Sequence, residues 1–334
     1  MTVTTWTGLY RFTFPKTDRA HILVDVGRSG GSVEIVGDHT VRGTQLHLRQ
    51  GHKVLTSYFV MEFSKPVWKF GTFREIPPDP ARPSITTPLI GNSRVEPDSR
   101  SMSGNYAGAY LQFQTAQEEQ VLAKVSHGQS YEMAEARLHS EQPGWAFDQT
   151  RKQAENAWSK VLNQIDVSGG TEKQKMLFYS CLLHSFASPR LTAKEGEQFH
   201  GLDGKVRTAE YDRYGVVPYW DTGRDQVVLL TMLEPQVNVN ILRSQLDMAR
   251  ESGYMGTSFH GDHAVQMYLG DWKRGIDFDW AAAYEYFRKN AMDIHGPRHY
   301  LDEYMKQGWI SDIIPEGKSQ PSLRRWESRS SHDT

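Results

Sequence analysis

Apolar and polar residues alternate in short runs over roughly the first 140 residues. The runs are rich in Val, Ile, Phe and Tyr, and turn-forming residues separate them, which is typical of β-strands. Many short strands with turns between them predict an antiparallel β-sandwich. The segment from Glu75 to Met102 is polar and contains prolines, so we expect a long surface loop there. The predicted strands are TGLYRFTF, AHILVDVG, SVEIVG, KVLTSYFVMEFS, VWKFGTF, GAYLQFQ and QVLAKVSHG.

After residue 130, the spacing of apolar residues changes to that of an α-helix. The apolar pattern from Asp148 to Leu162 predicts a linker helix, and Gly169-Gly170 separates this helix from the next unit. Thr171 and Gln174 fit a capping box at the start of the next helix. Residues 191–219 then form a long charged segment, which we interpret as a loop and not as a core element. Helical hairpins follow, which suit an α/α toroid or another all-α domain. The helices predicted are Asp225–Leu233, Asn238–Arg250, Val265–Arg274, Trp280–Met292 and Leu301–Gln307.

Composition narrows the class of protein only a little. The chain has 334 residues and a net charge of −2, with no basic patch for nucleic acid. No apolar run is long enough to span a membrane, and the first residues lack the pattern of a secretory signal, so the compartment stays open. The single cysteine, Cys181, excludes an internal disulfide, and its apolar neighbours predict a buried thiol.

Trp220, Asp221 and Arg224 form the most informative cluster of side chains in the sequence. An aromatic face, a carboxylate and a guanidinium together suit a sugar, because they offer stacking, an acceptor for hydroxyls and a donor fork. The alternative is a buried Asp–Arg pair beside a core Trp. Asp262 and His263 follow a glycine-containing turn later in the same stretch.

Several other polar residues have a structural and a functional interpretation. On the apolar face of its helix, His184 is predicted to be a core histidine. His260 and His263 could share a helical face or turn with Asp262, which would suit a metal site, but a further convincing ligand is missing nearby. Asp277 and Asp279 are predicted to cap the following helix in preference to binding calcium. Glu210 and Asp212, with the nearby Tyr211 and Tyr214, either line a pocket entrance or carry surface charge. The sequence contains no G-x-S-x-G, P-loop or dinucleotide motif, so esterase, kinase and dehydrogenase functions have no support.

Five motifs together resemble glycoside hydrolase family 92, the calcium-dependent exo-α-mannosidases. The resemblance implies a β-sandwich, a helical linker and an (α/α)6 barrel, and inverting hydrolysis of terminal α-mannosyl residues from glycans or glycoproteins. It implies that Trp220, Asp221 and Arg224 shape the sugar pocket and that Asp262 and His263 lie near it. It also implies calcium as cofactor and a mannose-containing glycan as partner. The motifs are YSCLLH (179–184), VPYWDTGRDQVVLLTMLEP (217–235), SGYM (252–255), GDHA (261–264) and GIDFDWAAAYEYFRKNA (275–291).

Three departures from the family pattern limit what the resemblance implies. The segment Met255 to His260, where the family carries its general acid, contains no carboxylate, and Glu251 just before it is predicted to be a solvated helix residue. The family's calcium-ligand and base motifs are absent, and so is its usual opening segment. We therefore expect the middle portion of a longer enzyme, from a truncated or frame-disrupted gene product. The alternative function is a catalytically dead remnant that at most binds carbohydrate.

The predicted strands and helices, together with the family resemblance, divide the chain into four regions. We expect a partial sandwich over residues 1–147, a linker helix over 148–170, a partial (α/α)6 catalytic barrel over 171–322, and a tail over 323–334 that is disordered or out of frame. Helices of a partial barrel would leave apolar faces exposed, so we expect poor solubility or self-association.

Overall fold

The N-terminal residues, in which apolar and polar side chains alternate, form two antiparallel sheets. The structure is a computed structural model that describes residues 1–27, 29–48, 54–75, 93–223, 225–257, 262–298 and 300–310. Its chain divides into two units, Met1–Val161 and Leu162–Thr334. The strands of the first unit are β1 (Thr2–Val3), β2 (Thr7–Phe14), β3 (Thr17–Asp25), β4 (Gly31–Val36), β5 (Thr40–Leu48), β6 (Val54–Phe63), β7 (Lys69–Glu75), β8 (Ser93–Pro97), β9 (Ser101–Gly104), β10 (Ala107–Thr115) and β11 (Glu119–Gly128).

One sheet has seven strands in the order β1-β2-β11-β6-β5-β4-β9, and the other has four in the order β3-β10-β7-β8. The consecutive strands β10 and β11 contribute one strand to each sheet, with β11 between β2 and β6 and β10 between β3 and β7. Phe63 of the larger sheet contacts Phe113 of the smaller one, with their ring centroids 5.7 Å apart. Both rings are buried, and burial of each contributes roughly 1.5–3 kcal/mol to the stability of this sandwich core.

Strand β5 was absent from the sequence prediction because its apolar pattern is weak. Val41 is buried, but the next position on the same face is Gly43. A Cβ at Gly43 would lie 2.0 Å from the Ser32 carbonyl oxygen and 2.8 Å from the Phe59 ring, so only glycine fits this close strand pairing. The prediction of an unbroken loop from Glu75 to Met102 is also wrong, because β8 and β9 occupy part of it, while residues 76–92 lie outside the described residues.

Helices follow the sandwich, and most of them begin and end close to the predicted residues. Thr171 and Gln174 form the predicted capping box, in which the Thr171 hydroxyl accepts from the Gln174 N–H and the Gln174 side chain accepts from the Thr171 N–H. The helices are α1 (Tyr131–Glu141), α2 (Phe147–Leu162), α3 (Glu172–Ser185), α4 (Tyr219–Thr222), α5 (Gln226–Leu233), α6 (Pro235–Ser252), α7 (Ala264–Lys273), α8 (Trp280–Met292) and α9 (Leu301–Gln307). Apolar residues of five helices, α4 to α8, form the second core, including Leu242, Met267 and Ala283.

Two expectations for this helical part are wrong. Residues 191–219 contain four short strands in place of a plain loop: β12 (Leu191–Ala193) pairs with β15 (Arg213–Tyr214), and β13 (Gln198–His200) pairs with β14 (Val206–Thr208). Cys181 and His184 on α3 were predicted to be buried and are exposed. The reason is that α3 packs on the unit through its opposite side, which carries the buried Leu182.

Two further points concern membrane-spanning helices and the predicted domain boundaries. Within the described ranges, no helix combines the length and apolar character needed to cross a bilayer. The boundaries at residues 147, 170 and 322 stay predictions, and the tail over 323–334 lies outside the described residues.

Candidate functional site

The short helix α4 positions the Trp-Asp pair that the sequence singled out. Tyr219 is buried and its hydroxyl donates to Gln245 Oε1 at 3.1 Å, which fixes the start of α4 against α6. Trp220, the next residue, keeps 42 % of its surface exposed. The backbone of Asp221 lies in the same helical turn, and Arg224 lies outside the described residues. The alternative of a core Trp is therefore wrong, because Trp220 presents a large part of its indole to solvent.

Asp262 and His263 lie directly before α7, and both are buried. Arg298 Nη2 donates to Asp262 Oδ2 at 2.7 Å. Among the described residues, the other carboxylate oxygen, Asp262 Oδ1, and Arg298 Nε have no hydrogen-bond partner although both are buried. An unsatisfied buried polar atom is unfavourable by about 1–3 kcal/mol, so a polar ligand or water that reached this pair would be stabilised.

The structure brings the α4 segment and the start of α7 into one core. Tyr219 clusters with Ala264 and Met267 of α7, and a Cβ at Gly223 would lie 3.8 Å from Met267 Cβ. Burial, with a smaller contribution from the negative charge of Asp262, raises the pKa of the Tyr219 hydroxyl well above its ordinary value. Residues that are about 40 positions apart in sequence are therefore close enough to interact electrostatically.

A second polar centre, which sequence reasoning missed, lies between the strands of residues 191–219 and the end of α6. Arg213 Nη2 donates to both carboxylate oxygens of Glu251 at 2.9 and 3.0 Å, and the Leu202 N–H donates to Glu251 Oε2 at 2.8 Å. The side chains of Arg213 and Glu251 are only 6 % and 4 % exposed. The expectation that Glu251 is solvated is wrong, because its partner Arg213 lies 38 positions earlier and leaves no local signal.

The Arg213–Glu251 pair lines a cavity of about 370 Å³. Glu210 and Tyr211 line the same cavity, whereas Asp212, Tyr214 and Trp220 are not among its lining residues. The interpretation that this segment lines the entrance of a sugar pocket therefore stays a prediction. Glu251 is buried and its two carboxylate oxygens accept from Arg213 and from the Leu202 N–H, so it has the surroundings of a structural carboxylate.

Comparison with known proteins decides the family. The model of the glycosyl hydrolase family 92 catalytic domain matches residues 133–331, and that of the family's N-terminal domain matches residues 1–127. The chain belongs to glycosyl hydrolase family 92. A search of curated proteins finds no match.

Solved structures from family 92 share the fold. A family 92 α-mannosidase from Bacteroides thetaiotaomicron is 24 % identical with a TM-score of 0.74, and the match covers 90 % of this chain and 41 % of that one. An inverting family 92 mannosidase from the same organism is 23 % identical with a TM-score of 0.74, and the match covers 91 % of this chain and 42 % of that one. The chain thus spans about two fifths of these relatives. The predicted fold class, a β domain followed by part of an α/α toroid, is confirmed.

The described residues of this family 92 chain do not fit a calcium site. Among them, no group of three or more His, Cys, Asp or Glu side chains is placed to hold a metal ion. Asp279 accepts from the Ala282 N–H at 3.1 Å and caps α8, so the capping role predicted for Asp279 is confirmed, and the observed N-cap is this residue and not Asp277. His260, the other half of the histidine pair, lies outside the described residues.

Proposed function

We propose that this chain belongs to a glycoside hydrolase of the α-mannosidase type, which removes terminal α-mannosyl residues from mannose-containing glycans with inversion of configuration. The observation that carries the proposal is the match of the family 92 catalytic domain over residues 133–331, which include α4 and the Asp262 segment. The two structural relatives described above are named as an α-mannosidase and an inverting mannosidase.

Trp220 is the proposed stacking surface for the sugar. Its exposed indole offers an apolar face to the C–H groups of a pyranose ring, which is a common mode of carbohydrate binding. Asp221 and Arg224 are proposed to contact hydroxyl groups of the same sugar, as an acceptor and a donor.

Asp262 and His263 are proposed to complete the pocket from the start of α7. Asp262 keeps one carboxylate oxygen without a partner among the described residues, and that oxygen can accept from a sugar hydroxyl. Arg298 holds the other oxygen and so orients the carboxylate. Calcium belongs to this proposal only through the family, because the described residues lack its ligand set, and we derive no step through it.

A carbohydrate-binding remnant without hydrolytic activity is the second candidate. One observation favours it: Glu251, the carboxylate nearest to the segment where the family carries its general acid, is engaged in a buried ion pair. An inverting glycosidase needs both an acid and a base, and the loss of either lowers the rate by orders of magnitude.

Hydrolysis of an aryl α-mannoside by the purified chain separates the two candidates. The proposed function predicts turnover, with β-mannose as the first product in NMR spectra. Trp220→Ala should lower kcat/KM roughly ten- to thirtyfold, because the sugar loses its stacking partner. The matched control is Trp158→Ala, which removes another exposed tryptophan on α2. Binding of mannose without turnover would support the remnant, and absence of both would refute each candidate.

A further inference from the structure

The end of α8 binds the chain that connects α6 to α7. Asn290 Nδ2, in the last turn of α8, donates to the Met255 carbonyl at 3.0 Å. Just after the helix, Asp293 Oδ2 accepts from the Tyr254 hydroxyl at 2.8 Å. A third side chain of this turn, Lys289, donates to the carbonyl of the residue before Tyr254 at 2.9 Å. Three consecutive residues of the connection are therefore bound by one end of α8, and we call Lys289, Asn290 and Asp293 the α8 clamp.

Asn290 is the buried member of the α8 clamp. It is 0 % exposed, and its partner Met255 is 1 % exposed. The contacts of Lys289 and Asp293 are more open to water, which can take the place of either side chain. Removal of the Asn290 amide would instead leave the Met255 carbonyl buried and unsatisfied. Of the three contacts, that of Asn290 therefore contributes most to holding the connection.

The far end of the same connection is bound from the same part of the chain. Arg298 lies five residues after Asp293, and its Nη2 donates to Asp262 Oδ2 at 2.7 Å. Asp262 directly precedes His263, which is the N-cap of α7. The α8 clamp and Arg298 together therefore fix the connection where it leaves α6 and where it enters α7.

The connection also lies against α4. Met255 belongs to the same apolar core as Tyr219. A Cβ at Gly256 would lie 3.6 Å from the Tyr219 hydroxyl oxygen, so the chain passes close to that side chain. Tyr219 directly precedes Trp220, the proposed stacking surface for the sugar. A displacement of Met255 would therefore disturb contacts with α4 as well as the path of the chain towards Asp262.

We propose that Asn290 is a positioning residue of the sugar pocket, which keeps Trp220 and Asp262 in one arrangement by holding Met255. This role rests on the proposed function, since it requires that Trp220 and Asp262 contact the same sugar. Without the Asn290 hydrogen bond, the connection samples other conformations, and only the molecules with an ordered connection bind the sugar. The apparent affinity then falls in proportion to the fraction of ordered molecules.

Calorimetric titration of Asn290→Ala with mannose, well below the melting temperature of the variant, tests this role. The affinity should fall about tenfold, which corresponds to an ordered connection in about one molecule in ten. The matched control is Asn238→Ala, because Asn238 is also 0 % exposed but donates to Asp271, about 20 Å from the α8 clamp at the other end of α6. The control should lower the melting temperature at least as much and leave the mannose affinity unchanged.

Tyr254→Phe is a milder second variant, because it removes only the hydroxyl that binds Asp293. It should fold like the wild-type chain and bind mannose roughly two- to threefold more weakly. An unchanged mannose affinity in both Asn290→Ala and Tyr254→Phe would overturn the proposal. So would an equal loss of affinity in Asn290→Ala and Asn238→Ala, since the effect would then follow stability and not position.

Hydrogen exchange of backbone amides gives a measurement that does not depend on sugar binding. Asn290→Ala should speed exchange at residues 253–257 and 262–264 and leave the strands of the sandwich unchanged, whereas Asn238→Ala should not affect these two segments. A wild-type chain that binds no mannose would refute the proposed function, and exchange would still decide whether Asn290 orders the connection. Unchanged exchange at both segments in Asn290→Ala would refute the positioning role itself.

Discussion

Replacing Glu251 by alanine would leave a buried guanidinium without its main partner. In the intact chain, Arg213 donates to both oxygens of Glu251, and its guanidinium carbon lies 4.2 Å from the centroid of the Phe199 ring. The nearest other carboxylate oxygen belongs to Asp247, at 3.9 Å. The substitution therefore removes the close ion pair and also the acceptor of the Leu202 N–H.

The expected loss of stability is large for a single substitution. Removal of one partner from a buried ion pair destabilises proteins by about 3–5 kcal/mol, because the remaining charge stays away from water. The more distant Asp247 offsets part of this loss, whereas the unpaired Leu202 N–H adds to it. We expect a decrease of about 3–5 kcal/mol in the free energy of unfolding, out of a typical total of about 5–15 kcal/mol.

Equilibrium unfolding in urea, followed by tryptophan fluorescence, measures this change. The control is Asp203→Ala, because Asp203 accepts from Arg207 at 2.7 Å in the same part of the chain but at a site more open to water. Its loss should change the midpoint little. The double variant Arg213→Met, Glu251→Met should be more stable than Glu251→Ala, since it removes both buried charges.

Two results would contradict this reasoning. A loss of less than about 1 kcal/mol in Glu251→Ala would mean that water or Asp247 compensates the charge of Arg213. A double variant no more stable than the single one would mean that the pair contributes through its shape and not through its charges.

Three further predictions concern the same unit and use the same unfolding assay. Thr171→Ala should lower the free energy of unfolding by about 1 kcal/mol, because the capping box with Gln174 is lost, and an unchanged value would show that α3 frays in the intact chain. Burial, aided by two nearby carboxylates, raises the pKa of Tyr214 from 10.0 to about 12. The unfolded chain therefore loses this proton first, and stability should fall as pH rises from 10 to about 12; Tyr214→Phe should flatten that fall, and an identical slope would refute the assignment. Asp271 is fully buried and its carboxylate accepts three hydrogen bonds, one of them from Arg274. Asp271→Ala should therefore lower the free energy of unfolding by about 3 kcal/mol or more, and a loss no larger than that of an exposed aspartate would contradict this expectation.

Most helices were predicted close to their observed bounds because their signals are local, although α6 begins at Pro235 and was predicted to begin at Asn238. The capping pair Thr171 and Gln174, the proline that opens α6 and the glycine at residue 253 that ends it all lie within one turn of the helix boundaries. Strand β5 could not be predicted, because its central Gly43 is explained only by the close approach of two neighbouring strands. Local signals also cannot show which side of a helix packs against the rest of the protein, and for this reason the prediction that Cys181 is buried is wrong.

The candidate site could be predicted in part, for the same reason. Trp220, Asp262 and His263 stand out through residue type and motif, without reference to distant partners. The pairing of Asp262 with Arg298 spans 36 positions and gives no periodic or compositional signal. A carboxylate at the end of a helix is usually solvated, and only the tertiary contact with Arg213 explains why Glu251 is not. The residues assigned to sugar binding stay a proposal.

The placement of β10 and β11 has a consequence for synthesis of the chain on the ribosome. These two strands emerge after every other strand of the sandwich, yet they supply an internal strand to each sheet. Until about residue 128 has left the exit tunnel, β2, β3, β6 and β7 lack a neighbour and present open edges, which readily pair with other chains. The two sheets of this sandwich can therefore be completed only after its last two strands have been synthesised.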